Sequence, residues 1–483
     1  MNKNASGKSK KIPALSVLLL LTAASSVAQE KYTLDACREL ALKNNKEVAI
    51  AEQTEAKTLY ESKSYFANFF PKFTASGAYL LSNSSFKKSI ESAYLPTFTP
   101  DPATGQLTPN VMTMPDGSPV VGADGNPVFR QYAYFPGMDF NIRMNGAYFA
   151  GLQAEQPVFL GGKIISAYKM SKIGRDIAGL NRSLTRAEVI VKTDEAFWLH
   201  VKAMESKKVA EAFKKVIVEL MQNVDAAVKV GMKTRNDLLK VQVQMNKADL
   251  QIQQAENAIR LSRMNLCQIM GMPLTSDILI DARFDNDDTT DPTTTLPASA
   301  YYTARPEFSI LDKQIELKSQ QVRLVRSDFL PNVGIGANYG YLHAIEFNGS
   351  PLIDKASFSA LLTVSIPVFH WGEGLNKIRA AKAEKQIIEL QRDDLSEKME
   401  LEMLRARDKL SESQLEVSLT ARALEQAAEN MRESGNHYNV GLETLADYLE
   451  AQTLWQQASL EALTAKINRR LNETYYLKAV GGL

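Results

Sequence analysis

Four stretches of the chain alternate apolar and polar residues with a period of two, and the longer stretches between them repeat at helical spacing. In the first, Phe73, Ala75, Gly77, Tyr79 and Leu81 fall on one side and Thr74, Ser76 and Ser82 on the other. In the second, Phe140, Ile142, Met144, Tyr148, Ala150, Leu152 and Ala154 oppose Asp139, Asn141, Arg143, Gln153 and Glu155. Val333, Ile335, Ala337, Tyr339 and Tyr341 mark a third, and Phe358, Ala360, Leu362, Val364 and Ile366 a fourth, opposite Ser357, Ser359, Thr363 and Ser365. Such alternation is the signature of a strand with one apolar face. It predicts strands over about 72–82, 139–157, 332–343 and 357–367. Residues 32–70 read as helix, broken by Pro71. From Val158 to Met272 there is no proline, and the pattern predicts a helix from about 163 that reverses at 230–234 and returns to about 270. A second helical hairpin is predicted over about 372–478, reversing at 439–444. Inside it Met403, Ala406, Leu410, Ser413, Val417, Thr420, Leu424, Ala427 and Met431 step by three and four. That 3.5-residue period favours left-handed winding against a neighbouring helix.

The two reversals are copies of each other. Val230-Gly231-Met232-Lys233-Thr234 and Asp237 recur as Val440-Gly441-Leu442-Glu443-Thr444 and Asp447, offset by 210 residues. Glycine reaches the left-handed backbone angles that end a helix. Thr234 with Asp237, and Thr444 with Asp447, have the spacing of capping boxes. Upstream, Asn45-Lys46-Glu47 matches Arg305-Pro306-Glu307, and Pro71 matches Pro331, at an offset of 260. The chain is therefore read as two repeats, 29–273 and 304–483, joined by a connector over 274–303 with little regular structure. The drop in offset, 50 residues, places an insertion in the first strand pair, at 83–138. It carries eight of the 18 prolines and two Asp-Gly turn pairs, and reads as a long extracellular loop with room for a small hairpin.

Residues 1–28 have the form of a secretory signal: Lys8, Lys10 and Lys11, then the apolar run Leu15–Leu21, then Ser26-Val27-Ala28. Beyond it no stretch has the ~20 apolar residues of a membrane helix. Any membrane crossing must use strands. Six aromatics lie within residues 65–80, against four in 164–270, as in the girdle of a membrane barrel. Four strands cannot close a barrel, whereas three chains would supply an even twelve. The net charge of +1 excludes a nucleic-acid signature. The four histidines are scattered, and the sequence suggests no metal, no cofactor and no catalytic constellation. Cys37 and Cys267 either form a disulfide or are two buried thiols.

Over nearly its whole mature length the chain resembles the TolC-like outer-membrane efflux proteins, the outer membrane factors. The resemblance rests on the doubled order of helix, strand pair and long helical hairpin, on prolines at the junctions (Pro71, Pro157, Pro331, Pro367), on Arg305-Pro306-Glu307, and on Tyr438-x-x-Gly441-x-x-Thr444-x-x-Asp447. It implies an α+β membrane protein, a homotrimer with a twelve-stranded barrel in the outer membrane of a Gram-negative cell and a helical tunnel across the periplasm. It implies a gated exit duct for drugs or type I secretion substrates, with a periplasmic adaptor and an inner-membrane pump of the resistance–nodulation–division or ATP-driven kind as partners. Val230, Gly231, Met232, Val440, Gly441 and Leu442 would dock the adaptor. Asp447 and Glu450 would line the closed gate, since threefold symmetry gathers six carboxylates there. Capping alone also explains Asp447. Tyr438 is read as a latch or as a packed aromatic. Glu443 stands where a family member has a basic residue. The competing function is a non-conducting periplasmic scaffold or adaptor.

Overall fold

The computed structural model describes residues 31–282 and 304–483. The expected signal, and the connector beyond residue 282, lie outside the described residues. In chain order the first repeat contains β1 (Lys31–Tyr32), α1 (Leu34–Asn44), α2 (Lys46–Ala67), β2 (Lys72–Ile90), β3 (Ala93–Pro96), β4 (Phe98–Pro100), β5 (Leu107–Pro109), β6 (Tyr132–Phe135), β7 (Met138–Leu160), α3 (Lys163–Lys229), α4 (Arg235–Ile269) and β8 (Leu279–Ile280). The second contains α5 (Pro306–Ser327), β9 (Asn332–His343), β10 (Glu346–Phe347), β11 (Ser350–Pro351), β12 (Asp354–Ser365), α6 (Glu373–Asn439) and α7 (Leu445–Ala479). These form two compact units. One comprises the described parts of Met1–Ser62, Met170–Ser319 and Lys382–Leu483, the other Lys63–Lys169 and Gln320–Ala381.

The first unit is helical. The single helix expected over 32–70 is two, because Asn45 breaks it. The Asn45 side chain accepts from Glu47 N at 2.7 Å, capping α2, and donates to Ile269 O at 2.8 Å. The connector is also more ordered than expected at its start, where β8 pairs in parallel with β1. One core gathers Cys37, Val189, Phe197, Trp198, Val201, Leu266, Cys267, Met270 and Ile467. Beside it Asp194 is fully buried and takes both hydrogen bonds of an Arg38 fork, at 2.7 and 2.6 Å, plus one from Thr474 Oγ1 at 2.6 Å. A second core holds Phe213, Ile217, Leu220, Val224, Val241, Tyr438, Leu445 and Leu449. On α6 the seam from Met403 to Met431 is buried or half-buried at all nine positions, so the 3.5-residue period marks the packed side of that helix.

Both cysteines are free, so the disulfide alternative does not hold here. They are buried thiols in one core cluster, and burial pushes Cys37 from 9.0 up to about 12. A thiol held neutral by the fold stabilises it fully below the unfolded thiol's pKa, and that contribution is lost as pH rises towards the folded value. Iodoacetamide at pH 8 is therefore expected to modify neither cysteine in the folded protein, and both after denaturation without reductant. Blocked cysteines in denatured, unreduced protein would restore the disulfide.

The second unit is built on an antiparallel sheet in the order β2–β7–β9–β12, with the short β10 and β11 continuing alongside β7. Its register aligns the four alternating patterns. Ala75 faces Leu152, Leu152 faces Tyr339, and Tyr339 faces Phe358; likewise Phe73, Ala154, Ala337 and Ala360 form a row. Because side chains alternate with period two, this parity puts these apolar rows on one face and Thr74, Gln153, Asn338 and Ser359 on the other. β2 runs to Ile90, past its expected end at 82. After an irregularity between Leu80 and Asn83 its polar tail still finds backbone partners in Met138–Asn145. β7 continues past Pro157 through a second irregularity, which accommodates the missing N–H. β12 is displaced towards the N-terminus of its expected span by the pairing of Asp354 with His343. The insertion is no plain loop with one hairpin: β3 pairs with β6, β4 with β5, and isolated bridges such as Val111 to Phe129 continue the ladder. Among the described residues β2 pairs only with β7 and β12 only with β9, so both outer edges are open. No described helix is long and apolar enough to cross a membrane.

Candidate gate and docking tips

Each helical hairpin reverses through the same backbone device. At the end of α3, Gly231 N donates to Val228 O at 3.0 Å and Met232 N to Ala227 O at 2.8 Å. At the end of α6, Gly441 N donates to Tyr438 O at 3.2 Å and Leu442 N to His437 O at 2.8 Å. This paired closure needs a left-handed residue, and Gly231 and Gly441 have φ of 78° and 81°. The returning helices are both capped by boxes. Thr234 Oγ1 accepts from Asp237 N, and Thr444 Oγ1 from Asp447 N, while each Asp Oδ2 takes the threonine N–H at 3.1 Å. The turn forces the residues beside the glycines outward. Met232 is 78% exposed and Leu442 75%, with Val230 and Val440 similarly open, so local packing does not account for them.

The two tips differ in charge. Asp447 and Glu450 are both exposed on the first turns of α7. The Thr444 hydroxyl and then its N–H hold the Asp447 carboxyl below the usual range, so it is ionised at neutral pH. Thr234 does the same for Asp237, but there Lys240 and Lys233 add their charge. Glu450 lines a groove with Lys240, Val243, Gln244, Ala446, Leu449 and Thr453, so the acid and its basic counterpart at offset 210 face one space.

Tyr438 is buried, stacked on Tyr448 with ring centroids 5.5 Å apart, and Lys233 Nζ lies 4.6 Å from its centroid. Burial first, then the Asp237 charge, raises its phenol pKa and keeps it protonated. Within one chain it ties the two tips together as a packed aromatic. Glu443 clasps its own turn, accepting from Ser434 Oγ and meeting His437 Nδ1 at 3.2 Å. Sequence reasoning missed Lys233, Tyr448, Ser434 and His437. The six-residue spacing from His437 to Glu443 across a glycine turn was the available signal.

The family described as outer membrane efflux protein matches residues 137–272 and 303–482. Among solved structures the chain is similar to the Campylobacter jejuni CmeC outer membrane channel, at 18% identity and a TM-score of 0.70, over 93% of this chain and 85% of that one. It is similar to the Vibrio cholerae outer membrane protein VceC, at 14% identity and 0.67, over 93% and 96%. The open state of the Neisseria gonorrhoeae MtrE outer membrane channel matches at 16% and 0.68, over 93% and 89%. At these identities the likeness is one of fold. No curated protein matches in sequence.

Proposed function

We propose that this chain, which belongs to the outer membrane efflux protein family, assembles as a homotrimer and is the passive, gated exit duct of a tripartite efflux or type I secretion machine. Membership makes it an outer-membrane efflux component and not an enzyme. The observation that carries the finer reading is the pair of open edges on β2 and β12. Each unpaired backbone group in hydrocarbon costs several kcal/mol. A sheet with an apolar outer face and two free edges of 19 and 12 residues must therefore close against further copies. Two copies give eight strands, whose interior side chains fill. Three give twelve, with the polar face lining a wet lumen.

The exposed apolar tips supply the adaptor contact, and the energy comes from an inner-membrane pump. A fully buried Met or Leu contributes about 1.5–3 kcal/mol, so losing one costs about tenfold or more in affinity. The test is drug resistance in a hypersensitive Gram-negative strain lacking its own channel, supplied with this chain and its adaptor and pump. The native chain should restore resistance. Met232→Asp with Leu442→Asp should abolish it while leaving the assembled protein in the membrane. Full resistance in that double variant would remove the docking role, and no restoration by the native chain would remove the duct.

A further inference from the structure

The offset of 210 residues maps Pro157-Val158-Phe159 onto Pro367-Val368-Phe369, and Gly161 onto Trp371. Both residues adopt left-handed backbone, with φ of 60° at Gly161 and 48° at Trp371. At Gly161 the reason is close packing: a Cβ there would lie 2.6 Å from Ser327 O and 2.7 Å from Leu330 Cβ, in the turn between α5 and β9. At Trp371 the same strained backbone carries a bulky ring that is 90% exposed, beside exposed Val368 and Phe369. For a bulky residue this conformation is a true outlier, and the ring's edge-on contact with Phe369, centroids 5.0 Å apart, still leaves nearly all of its surface open.

The repeat says what should cover it. At offset 260 the turn that packs on Gly161 corresponds to Ala67–Phe70, between α2 and β2. That turn and the end of α2 before it present exposed aromatics, Phe70 and Phe66, at the other outer edge of the sheet. The same offsets carry β7 onto β12 and β9 onto β2. Within the chain β7 pairs with β9, Ala154 opposite Ala337 and Leu152 opposite Tyr339.

We propose that β12 of one copy pairs with β2 of the next in the register that β7 and β9 show within the chain, and that Trp371 seats on the neighbour's Phe66–Phe70 turn. This rests on the homotrimer reading above. It places Val364 opposite Gly77 and Leu362 opposite Tyr79, all four on the apolar face, as period-two parity requires. It also makes the joints of the ring unequal. The joint inside a chain is closed by a glycine with no room for a side chain, and the joint between copies is filled by an indole.

The experiment is disulfide trapping in outer membranes, with the pairs Gly77→Cys plus Val364→Cys and Leu362→Cys plus Tyr79→Cys. Directly opposed residues of an antiparallel pair lie within disulfide reach. Both pairs should yield covalent trimers on non-reducing gels, and Gly77→Cys plus Ala360→Cys, four residues out of register, should not. Native mass of the untrapped protein is measured alongside. Trimer mass with trapping only in the displaced pair overturns the register and leaves the trimer standing. Monomer mass overturns the trimer itself. For the indole, Trp371→Gly relieves the backbone strain, so a residue with no contact would leave the trimer equally or more resistant to heat. The seat predicts the reverse, a lower temperature of dissociation into monomers, with partial rescue by Trp371→Phe. An unchanged or raised temperature in Trp371→Gly overturns the seat.

Discussion

Replacing Arg38 with alanine is expected to destabilise the helical unit by about 3–5 kcal/mol, the cost of leaving a buried charge without its partner. Asp194 is fully buried on α3, and both of its oxygens are engaged by the Arg38 guanidinium from α1, with Thr474 on α7 as third partner. The Asp194 carboxylate in turn raises the Arg38 pKa. Three helices far apart in sequence meet at this one carboxylate. Without Arg38 the buried carboxylate loses its charged partner, and drawing in water to replace it loosens the packing of α1 on Phe197, Leu266 and Ile467. Arg38→Lys should recover only part of the loss, because an ammonium cannot form the fork. Arg38→Leu combined with Asp194→Leu should be far milder than Arg38→Ala, since no buried charge remains. Circular dichroism during heating checks all three. If Arg38→Ala melts with the native protein, the pair is not what holds α1 in place.

Removing the carboxylates of Asp447 and Glu450 together is expected to raise single-channel conductance several-fold and to weaken cation preference. In three copies the two exposed acids would gather six negative charges at the tip, and a ring of carboxylates selects cations and narrows the pore. Asp447 is held ionised by Thr444, so its charge persists at neutral pH. Its capping contribution is present above the unfolded carboxylate's pKa and is lost as pH falls through the lower folded value. Cation preference should therefore survive mild acidification. Loss of the capping box disturbs the helix start by itself, so Asp237→Ala is the matched control. It removes the equivalent box at a tip flanked by Lys233 and Lys240, and should leave conductance unchanged. Equal conductance in native and doubly substituted protein would reduce the two acids to caps and surface charge. No conductance from intact trimers of either would favour a non-conducting scaffold.

The elements that local chemistry dictates were legible in the chain. Gly231 and Gly441 reverse helices because only glycine enters the left-handed region freely, and Thr-x-x-Asp after each turn caps the next helix. The alternation at Phe73–Leu81 and Phe358–Ile366 marked strands because side chains of an extended backbone point to opposite sides. The spacing from Met403 to Met431 marked the packed side of α6 for a similar reason, the repeat of a supercoiled helix. Those two offsets, 210 and 260, carried the doubled plan and the position of the insertion.

Only the tertiary structure decided matters that depend on residues distant in sequence. The polar tail of β2 is strand because Met138–Asn145 happens to lie beside it, and no alternation announces that. Asp194 and Arg38 look like ordinary surface charges until α1, α3 and α7 converge. Tyr438 could be a latch or a packed ring from its spacing alone. Within the chain it packs between Lys233 and Tyr448, from different hairpin segments, contacts that its spacing does not announce. The alignment of four apolar patterns onto one face was settled by register. Periodicity reports which way a side chain points relative to its own backbone, whereas register and burial depend on which other backbone lies alongside, and one chain's local pattern does not contain that information.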